Sequence, residues 1–235
     1  MTGMLDGAWV HIAGQELVLL PERAVYWPER GWLIVADVHL GKDGCFRRHG
    51  VAVPAGSDGG DLARLAHLAT RLAARRLVVL GDLFHCALPR TDPLFDALGE
   101  LARRFEGHAI DVVRGNHDRG IGADGPDLRW HEGVLDTGAL ALTHELDNMS
   151  AIRRGGGVLC GHLHPVVVLR GSGDRLRRAA FWCRPSSMIL PAFGRFTGGH
   201  VIRPAPTDRI FVPAEQRVVD CTALFARGRA RQSQL

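Results

Sequence analysis

The chain has 235 residues, which is long enough to bury a substantial core within one α/β domain. Hydrophobic residues make up 46% of the sequence and charged residues 23%, so neither a disordered nor a fibrous protein is expected. The formal net charge is +4, and all of the 29 basic residues except Lys42 are arginine. This balance indicates only a mild preference for anionic partners such as nucleic acid.

No feature of a membrane or secreted protein is present in the sequence. The longest apolar stretches are far shorter than the roughly 20 residues that span a bilayer, and the N-terminus lacks the pattern of a secretory signal. We therefore expect a cytoplasmic protein without a transmembrane helix. The cysteines form no Cys-x-x-Cys pair and are expected to be reduced and mostly buried: Cys45, Cys86, Cys160, Cys183 and Cys221.

Alternating strands and helices are predicted in the first half of the chain. Short runs rich in Val, Leu and Ile, each followed by a polar residue, predict buried strands at 32–36, 77–80 and 109–113. The spacing of Leu and Ala predicts amphipathic helices at 61–75 and 93–105, the second capped by Asp92 with Pro93 in its first turn. This order implies parallel strands joined by right-handed crossovers.

The second half is predicted to be predominantly β. Glycine-rich turns separate its strand candidates, which lie at 139–143, 158–160, 166–170 and 210–212. The segment 226–235 is basic and has no apolar pattern. We therefore expect a single domain at 1–225 followed by a mobile tail, the alternative being that the tail contacts nucleic acid.

Five short motifs each follow directly after a predicted strand. Open α/β sheets bind their ligands at the carboxyl ends of strands, so these motifs are expected to meet at one edge. The resulting group of acidic and amide oxygens and imidazoles requires cations to neutralise it. The motifs are Asp37-Val38-His39, Gly81-Asp82, Gly115-Asn116-His117-Asp118, Thr143-His144 and Gly161-His162-Leu163-His164.

This ordered set of motifs resembles the signature of the calcineurin-like metallophosphoesterases over residues 37–164. The resemblance implies an α/β protein with a central β-sandwich flanked by α-helices and a metal site at the C-terminal strand ends. It also implies two divalent metal ions that are bridged by Asp82. One ion would be held by Asp37, His39 and His164, and the other by Asn116, His144 and His162.

The chemistry of these side chains agrees with that assignment. Carboxylate, amide and imidazole ligands without thiolates favour Mn²⁺, Fe or Zn²⁺ over Mg²⁺ and Ca²⁺. Two ions about 3.5–4 Å apart can activate a water molecule near neutral pH and stabilise both oxygens of an in-line displacement. The sequence therefore predicts a dinuclear enzyme that hydrolyses phosphate esters.

His117 is predicted to be a catalytic residue and not a metal ligand, because the residue after Asn116 points elsewhere. In the resembled family the His of this motif protonates the leaving oxygen, which is the role of a general acid. Asp118 would orient the imidazole, or alternatively cap the turn. The remaining histidines are expected to serve packing or the surface, except that His85, three residues after Asp82, is also a candidate for substrate contact.

Two longer segments, 37–54 and 183–199, resemble a branch of the same family, the bacterial ligase-associated DNA-damage-response endonucleases. That resemblance implies a Mn²⁺-dependent phosphodiesterase acting on DNA in repair, with a DNA ligase, a helicase and an exonuclease as partners. No helix-turn-helix or zinc finger is recognisable in the sequence. Internal cleavage of single-stranded DNA without sequence preference is therefore predicted.

The candidate substrate-binding residues lie mostly just after the first metal motif and are Lys42, Phe46, Arg47, Arg48, His85 and Arg195. The basic side chains can grip phosphate, and the ring of Phe46 can stack on an unpaired base. The alternative is an exposed loop with solvated arginines. Arg195 is predicted to form a second wall with Phe193 and Phe196, unless that stretch is a core strand turning at Gly194.

Two other functions are compatible with the same residues. A hydrolase of a small nucleotide or lipid-linked phosphodiester or pyrophosphate would use the same metals, although no convincing membrane-facing helix is visible. A non-catalytic scaffold of the same fold typically lacks ligands or the general acid, whereas this chain keeps every candidate. Glu145 departs from the family pattern, in which glycine often follows the histidine that corresponds to His144.

Overall fold

The computed structural model describes residues 7–48, 50, 57–89, 91–119, 121, 127–146, 156–171 and 174–226. The elements of the first part are, in chain order, β1 (Ala8–Ile12), β2 (Gln15–Leu20), β3 (Ala24–Trp27), β4 (Trp32–Val35), α1 (Lys42–Arg48), α2 (Ser57–Arg71), β5 (Arg76–Leu80), α3 (Pro93–Ala102), β6 (Ile110–Val113) and β7 (Leu128–His131). A 3₁₀ turn at Glu106–His108 precedes β6.

The elements of the second part are β8 (Val134–Asp136), β9 (Leu140–Thr143), β10 (Gly157–Cys160), β11 (Pro165–Arg170), β12 (Arg175–Ala179), β13 (Phe181–Arg184), β14 (Ser187–Ile189), β15 (His200–Val201), β16 (Arg209–Pro213), β17 (Val218–Asp220) and α4 (Thr222–Ala226). This part is therefore predominantly β, as its glycine-punctuated sequence predicts.

The first sheet contains the strands β1 to β7 in chain order. β1 to β4 are joined as antiparallel neighbours, whereas β4 to β7 are parallel. α2 lies in the connection from β4 to β5, and α3 in the connection from β5 to β6. In the parallel part, Ile34 pairs with Val78 and Val79 pairs with Val112. The carboxyl ends of β4, β5 and β6 consequently lie at one edge of the sheet.

The second sheet has the strand order β17-β16-β13-β14-β10-β9-β8. Its middle strands β9, β10 and β14 are parallel, and the outer pairs are antiparallel. A third, small sheet has the order β12-β11-β15. Because β9 and β10 run side by side in the same direction, His144 and Gly161 follow them at the same edge of this sheet.

The two large sheets pack face to face around an apolar layer that includes Trp27 from the first sheet and Phe211 from the second. α2 and α3 cover the other face of the first sheet, where Leu65 and Leu98 are buried. The outer side of the second sheet buries Val167 of β11 in a smaller apolar cluster. Burying each large apolar side chain contributes about 1.5–3 kcal/mol, so this layered core holds the site-bearing edge in place.

The α/β sandwich predicted from the sequence is confirmed. All seven strands predicted at 32–36, 77–80, 109–113, 139–143, 158–160, 166–170 and 210–212 are present, and each bound differs by at most one residue. Both predicted helices are present as α2 and α3. The side chain of Asp92 accepts a hydrogen bond from the backbone N–H of Leu94, as expected of an N-cap.

Two segments differ from the prediction. The sequence predicts no helix directly after the first metal motif, where the structure has the helix α1. This helix is short and contains Gly44, so no apolar repeat marks it. The hairpins β1 to β3 were also unpredicted, although Ala13 and Gly14, both with positive φ, are typical of a tight hairpin turn.

Other expectations concern exposure and the chain end. No helix within the described ranges is long and apolar enough to cross a membrane. No disulfide is formed among the described residues, and Cys160, Cys183 and Cys221 are buried, as predicted. The predicted basic tail lies outside the described residues apart from Ala226, which ends α4.

Candidate metal centre

Backbone hydrogen bonds join the motif-bearing loops at one edge of the sandwich. The N–H of Asp37 donates to the carbonyl of Gly81 at 3.1 Å, and the N–H of His39 donates to that of Asp82 at 2.9 Å. In the second sheet, the N–H of Gly161 donates to the carbonyl of His144 at 3.1 Å. These bonds fix the first metal motif against the second, and the fourth against the fifth.

One group of potential metal ligands consists of Asp37, His39 and His164, whose ligand atoms lie within 4.8 Å of one another. The Nε2 atom of His164 is 3.3 Å from Oδ1 of Asp37 and 3.4 Å from Nε2 of His39. Asp37 and His39 are buried, and His164 is partly buried. The three side chains come from the ends of β4 and β10, which belong to different sheets.

A second group consists of Asp82, His144 and His162, again within 4.8 Å. Nε2 of His144 is 3.1 Å from Nδ1 of His162 and 3.1 Å from Oδ1 of Asn116. The amide oxygen of Asn116 therefore belongs to this group as well. His144 thus belongs to the second ligand group even though it is followed by Glu145 and not by the glycine that is common in the family.

Asp82 lies between the two groups. Its Oδ2 atom is 3.6 Å from Nε2 of His144 and 3.9 Å from Nε2 of His39. Its other oxygen accepts a 2.9 Å hydrogen bond from the backbone N–H of His117. One carboxylate oxygen thus faces both ligand groups, which is the position that a bridging ligand occupies.

Backbone carbonyls determine which imidazole nitrogens are free to bind a cation. Nδ1 of His144 is 3.0 Å from the carbonyl of Leu80, and Nδ1 of His164 is 3.1 Å from the carbonyl of Gly198. A carbonyl only accepts, so both Nδ1 atoms carry the proton, and the Nε2 lone pairs point into the site. Each then faces another imidazole nitrogen at 3.1–3.4 Å. Imidazole nitrogens this close together, beside the carboxylates of Asp37 and Asp82, fit a bound cation.

The electrostatics of the first group agree with this geometry. Burial lowers the pKa of His39 to about 2, so its imidazole is neutral and able to act as a ligand. Burial also disfavours the charged form of His164, but the carboxylate of Asp37 raises the pKa of His164 above its usual value. A metal ion bound between these side chains would interact favourably with the same carboxylate.

The backbone at the site is strained. Five candidate ligands have positive φ although none is glycine: Asp37 (54°), His39 (55°), Asp82 (51°), His162 (66°) and His164 (47°). They are five of the nine such residues in the described part of the chain. Each costs of order 1–3 kcal/mol and persists only when its surroundings enforce it. Strain gathered at one cluster indicates a functional site.

At two motif glycines, the backbone lies so close to a carboxylate of another motif that no side chain fits. A Cβ atom at Gly115 would collide with the carboxylate and the backbone N of Asp82, and one at Gly161 would lie 2.6 Å from Oδ2 of Asp37. Each glycine thus leaves the space that a buried carboxylate occupies. The Gly residues of these motifs are explained by the carboxylates of other motifs, which no local reading of the sequence reveals.

His117 lies at the exposed side of the cluster. Its ring centroid is 5.1 Å from that of His39, and its Nδ1 is 3.0 Å from the carbonyl of His85. The ring of His85 stacks against it, with centroids 5.0 Å apart. The structure thus places the predicted general acid beside the ligands, together with His85.

Asp118 does not contact the His117 imidazole as one reading of the sequence expected. Its buried carboxylate accepts hydrogen bonds of 3.0 Å from the backbone N–H groups of Phe84 and Gly115. The turn-capping alternative is therefore the one that the geometry supports. Asp118 holds together the two loops that carry Asp82 and Asn116.

The candidate substrate residues of α1 face different directions. The ring of Phe46 is 5.8 Å from that of His85, and Nζ of Lys42 is 5.8 Å from the centroid of Phe46, so both lie near the cluster. Arg47 instead pairs with Asp43 at 3.6 Å and lines a separate cavity. That cavity is formed with Leu62, Leu88 and Pro93. The Arg48 side chain lies outside the described part of the structure.

Arg195 lies beside the first ligand group, in a segment without a strand. The N–H of Gly194 donates to the carbonyl of Asp37 at 3.2 Å, so the segment runs along the first metal motif. Phe193 is fully buried and therefore is not a wall of the cleft, whereas Phe196 is exposed. Arg195 itself is exposed and, with His164, lines a cavity of about 130 Å³.

Sequence reasoning missed the carbonyls of Leu80 and Gly198, which orient two of the candidate ligands. Backbone atoms carry no residue-type signal, so only the fold reveals them. In the described residues, His39, His85 and His117 form a further histidine group. The sequence indicated these three residues only separately, as a metal ligand, a candidate for substrate contact and a catalytic residue.

Comparison with known proteins finds a solved structure that is similar over most of this chain. The sequence matches no protein-family model and no curated protein sequence. Among solved structures, the chain is similar to the nuclease MPE of Pseudomonas putida, with 34% identity, a TM-score of 0.74, and coverage of 92% of this chain and 100% of that chain. It is more remotely similar to YfcE, a phosphoesterase from E. coli (18% identity, TM-score 0.43, coverage 80% and 96%), and to a double mutant of Vps29 from Entamoeba histolytica (15%, 0.36, 80% and 98%).

A β-sandwich that gathers carboxylates and imidazoles into paired ligand groups at one edge defines a metal-dependent phosphoesterase. These groups are suited to divalent metal ions. The chain belongs to the calcineurin-like metallophosphoesterases. The family resemblance carried by the five sequence motifs is thereby confirmed.

Proposed function

We propose that this protein is a dinuclear phosphodiesterase that cleaves single-stranded DNA internally. One metal ion would be held by Asp37, His39 and His164, the other by Asn116, His144 and His162, with Asp82 between them. The observation that carries this proposal is the position of Asp82 Oδ2, within 3.9 Å of an imidazole nitrogen from each group. The absence of a thiolate from both groups favours Mn²⁺, with Fe and Zn²⁺ as the alternatives.

The protein's own groups supply positioning and proton transfer. When bound, the two ions provide Lewis-acid stabilisation of the phosphoryl oxygens and activation of a water molecule. Asp82 and Asn116 contribute oxygen ligands, of which only the carboxylate adds charge. The carbonyls of Leu80 and Gly198 hold His144 and His164 in the tautomer whose Nε2 would be available to hold an ion.

His117 is proposed to protonate the leaving oxygen. The carbonyl of His85 accepts from Nδ1 of His117, which fixes the ring and leaves Nε2 directed away from that contact. The ring is exposed at the mouth of the site, where a substrate can reach it. His117 is therefore placed to donate a proton without competing for a metal.

Replacement of His117 by Ala tests this role. The His117→Ala variant should keep both metals and lose about 10²–10⁴-fold in turnover, as expected for a general acid. Metal content by elemental analysis and turnover of a small phosphodiester are the two measurements. His67→Ala, which changes an exposed helical histidine, is the matched control and should leave both unchanged. Loss of metal from His117→Ala would contradict the assignment.

The proposal of a nucleic-acid substrate rests on several observations. The relative with the highest similarity reported above is a nuclease. Lys42 and Phe46 offer a cation and a stacking surface near His85, and the chain carries a net charge of +4. Among the described elements no helix is recognisable as a base-reading module, which favours cleavage without sequence preference. Partnership with a ligase, a helicase and an exonuclease in DNA repair rests on the sequence resemblance alone.

Covalently closed single-stranded circles provide the decisive substrate. An internal cleavage enzyme opens them in the presence of Mn²⁺, whereas an enzyme that requires an end cannot. The expected result is conversion of circles to linear strands, with little hydrolysis of phosphomonoesters. If circles survive while nucleotide or lipid pyrophosphates turn over rapidly, the substrate is small and the DNA proposal is wrong.

A further inference from the structure

A cavity of about 500 Å³ next to the metal centre is lined by four arginines, Arg23, Arg64, Arg178 and Arg195. They come from four separate segments: the turn after β2, the helix α2, the strand β12 and the loop after β14. Glu22 and Glu215 also line the cavity, so the lining residues carry a surplus of positive charge. A pocket with this surplus is suited to an anion.

Arg64 is a structural member of the group. Its guanidinium donates to Oδ1 of Asp61 at 2.7 Å and to the carbonyls of Glu22 and Phe193 at 2.7 and 3.1 Å. It also stacks on the ring of Phe193, 4.1 Å from the centroid. These donors are thus committed to the fold, and the half-buried Arg64 is a fixed part of the cavity lining.

The other three arginines retain donors for a ligand. Arg23 donates a 3.4 Å hydrogen bond to the carbonyl of Ala192, and Arg178 donates one of 3.4 Å to that of Arg177. The Nε of Arg195 is 4.0 Å from Oδ1 of Asp61. These contacts are long, and a guanidinium has five N–H donors. Among the described residues, most donors of these three side chains therefore remain available.

Arg23 is held in this cavity at a cost. Its φ is 66°, a conformation that favours glycine, so an arginine at the end of the β2–β3 turn is strained. Burial lowers the pKa of Arg23, and the charge of Arg64 lowers it further. Strain and repulsion at the same residue are expected where a bound anion offsets them.

The arginine cavity adjoins the metal centre. Arg23 and Arg195 also line the smaller cavity that contains His164 and Gly198, the pair in which the Gly198 carbonyl orients the His164 ring. A ligand can therefore extend from the metals past His164 to the arginines. In a polynucleotide, negative charges recur at every nucleotide, so a strand bound at the metals has further phosphates to place.

We propose that Arg23, Arg178 and Arg195 form a second phosphate-binding site, which holds a non-scissile phosphate of the nucleic-acid strand whose neighbouring phosphodiester lies at the metals. This inference rests on the proposed function, because a substrate with a single phosphodiester does not reach the site. Planar guanidinium groups bind phosphate oxygens in pairs, so the three side chains can surround one phosphate.

The salt dependence of binding tests the proposal. An oligothymidylate is titrated with the metal-free full-length protein over a series of salt concentrations, which avoids cleavage. Removing one phosphate contact from a single strand should lower the slope of log K against log salt by about 0.7. We expect this decrease, and an affinity about tenfold lower at moderate salt, for the double variant Arg23→Gly/Arg178→Ala. Glycine suits the backbone at position 23, so this variant is expected to fold.

The matched control removes two arginines that directly follow α3 and do not line the cavity. Arg103→Ala/Arg104→Ala changes the net charge equally, but both side chains are exposed outside the cavity, so the slope should stay that of the wild type. An equal decrease in the two double variants would overturn the proposal, because the effect would then be general. An unchanged slope in the cavity variant would overturn it as well.

A second measurement uses the unaltered protein and modified DNA. Replacing each phosphate of the oligonucleotide in turn by a neutral methylphosphonate should produce the largest loss of affinity at one non-scissile position. An even loss of affinity at all positions contradicts a second phosphate site.

The proposed nuclease function fails separately if the wild type, loaded with Mn²⁺, binds the oligonucleotide in this manner but does not cleave it. If the wild type does not bind the oligonucleotide at all, the second phosphate site is wrong even where small phosphodiesters are hydrolysed.

Discussion

Strand β6 contributes to two buried polar clusters of opposite character. Asp111 lies within the strand and is buried. Its carboxylate accepts two hydrogen bonds from Arg76, from Nε at 2.5 Å and from Nη2 at 2.6 Å. Nε2 of His131 lies 2.6 Å from the same carboxylate, and Nη1 of Arg129 lies 3.5 Å from it. Just beyond the end of β6, Asn116 joins the metal centre, where ligand atoms face one another.

The difference shows what each cluster is for. The carboxylate of Asp111 is neutralised by side chains of the protein, so the cluster is complete as it folds. At the metal centre, imidazole nitrogens of His144 and His162 lie 3.1 Å apart and those of His39 and His164 lie 3.4 Å apart, beside the carboxylates of Asp82 and Asp37. A cluster that stabilises the fold satisfies itself, whereas one that binds a ligand leaves atoms for it.

The largest effect is expected from a substitution in the metal centre. The change Asp82→Asn removes the charge that faces both ligand groups, so turnover of a small phosphodiester should fall by about 10³-fold or more, since a metal ion supplies several kcal/mol to the transition state. Metal content should fall below two ions per chain. The measurements are steady-state kinetics and elemental analysis of the same preparation.

The stability of the metal-free variant sharpens this result. Asp82→Asn removes a buried charge that the bound ions are expected to neutralise, while the side-chain oxygen can still accept from the backbone N–H of His117, so the metal-free unfolding midpoint should stay at or above the wild-type value. A midpoint that drops by as much as the Asp111 variant described next would show that Asp82 serves folding, and the contrast between the two clusters would be lost.

The second largest effect is expected in the Asp111 cluster, whose carboxylate is neutralised by side chains of the protein. Asp111→Ala leaves the Arg76 guanidinium without its buried carboxylate, so the free energy of unfolding should fall by about 3–5 kcal/mol. Denaturant unfolding monitored by tryptophan fluorescence measures it. Metal content and turnover per folded molecule should be unchanged, which is the reverse of the pattern expected for Asp82→Asn.

An exposed ion pair provides the control for that experiment. His11 and Glu16 lie directly opposite each other on β1 and β2, 3.2 Å apart, with about two thirds of each side chain exposed. Glu16→Ala should therefore cost no more than about 1 kcal/mol. If Glu16→Ala and Asp111→Ala lowered the free energy of unfolding equally, burial would not increase the contribution of the Asp111 cluster to stability.

A smaller effect is the pH dependence of the Asp111 contribution. Burial alone would raise the pKa of Asp111, but hydrogen bonds from Arg76 and His131 hold it below the ordinary value of 3.8. The unfolded chain therefore binds the proton more readily, and stability from this group is complete above that value and lost as the pH falls through the lower folded pKa. The difference in unfolding free energy between wild type and Asp111→Asn should shrink below pH 3.8. A difference that grows on acidification would contradict the sign.

The metal centre could be predicted from the sequence because its signal is local and repeated. Each motif follows a short apolar run that reads as a buried strand, and parallel strands bring their ends to one edge. The seven candidate ligands meet there in the structure. Glycine positions such as Gly115 are explained only by the fold, since the atom that excludes a side chain belongs to Asp82 in another motif.

The arginine cavity and α1 could not be predicted for physical reasons. Arg23, Arg64 and Arg178 come from segments that share no pattern, and only the packing of three elements brings them together. α1 has seven residues, fewer than two helical turns of repeat, so periodicity does not distinguish it from a loop. Its direction decides which of its side chains face the substrate, and the sequence had treated Phe46 and Arg47 alike.

The smallest effect compares these two neighbouring residues of α1. Phe46 lies beside His85, whereas Arg47 pairs with Asp43 and lines the cavity formed with Leu88. Phe46→Ala should weaken cleavage of single-stranded DNA by roughly tenfold, because stacking on an aromatic ring contributes about 1–3 kcal/mol per base. Arg47→Ala should change it by less than about twofold, since an exposed, already paired arginine contributes little. Both variants should hydrolyse a small phosphodiester at the wild-type rate. A larger loss from Arg47→Ala than from Phe46→Ala would show that Arg47 leaves Asp43 to bind DNA, and that a side chain with a protein partner can still belong to the substrate site.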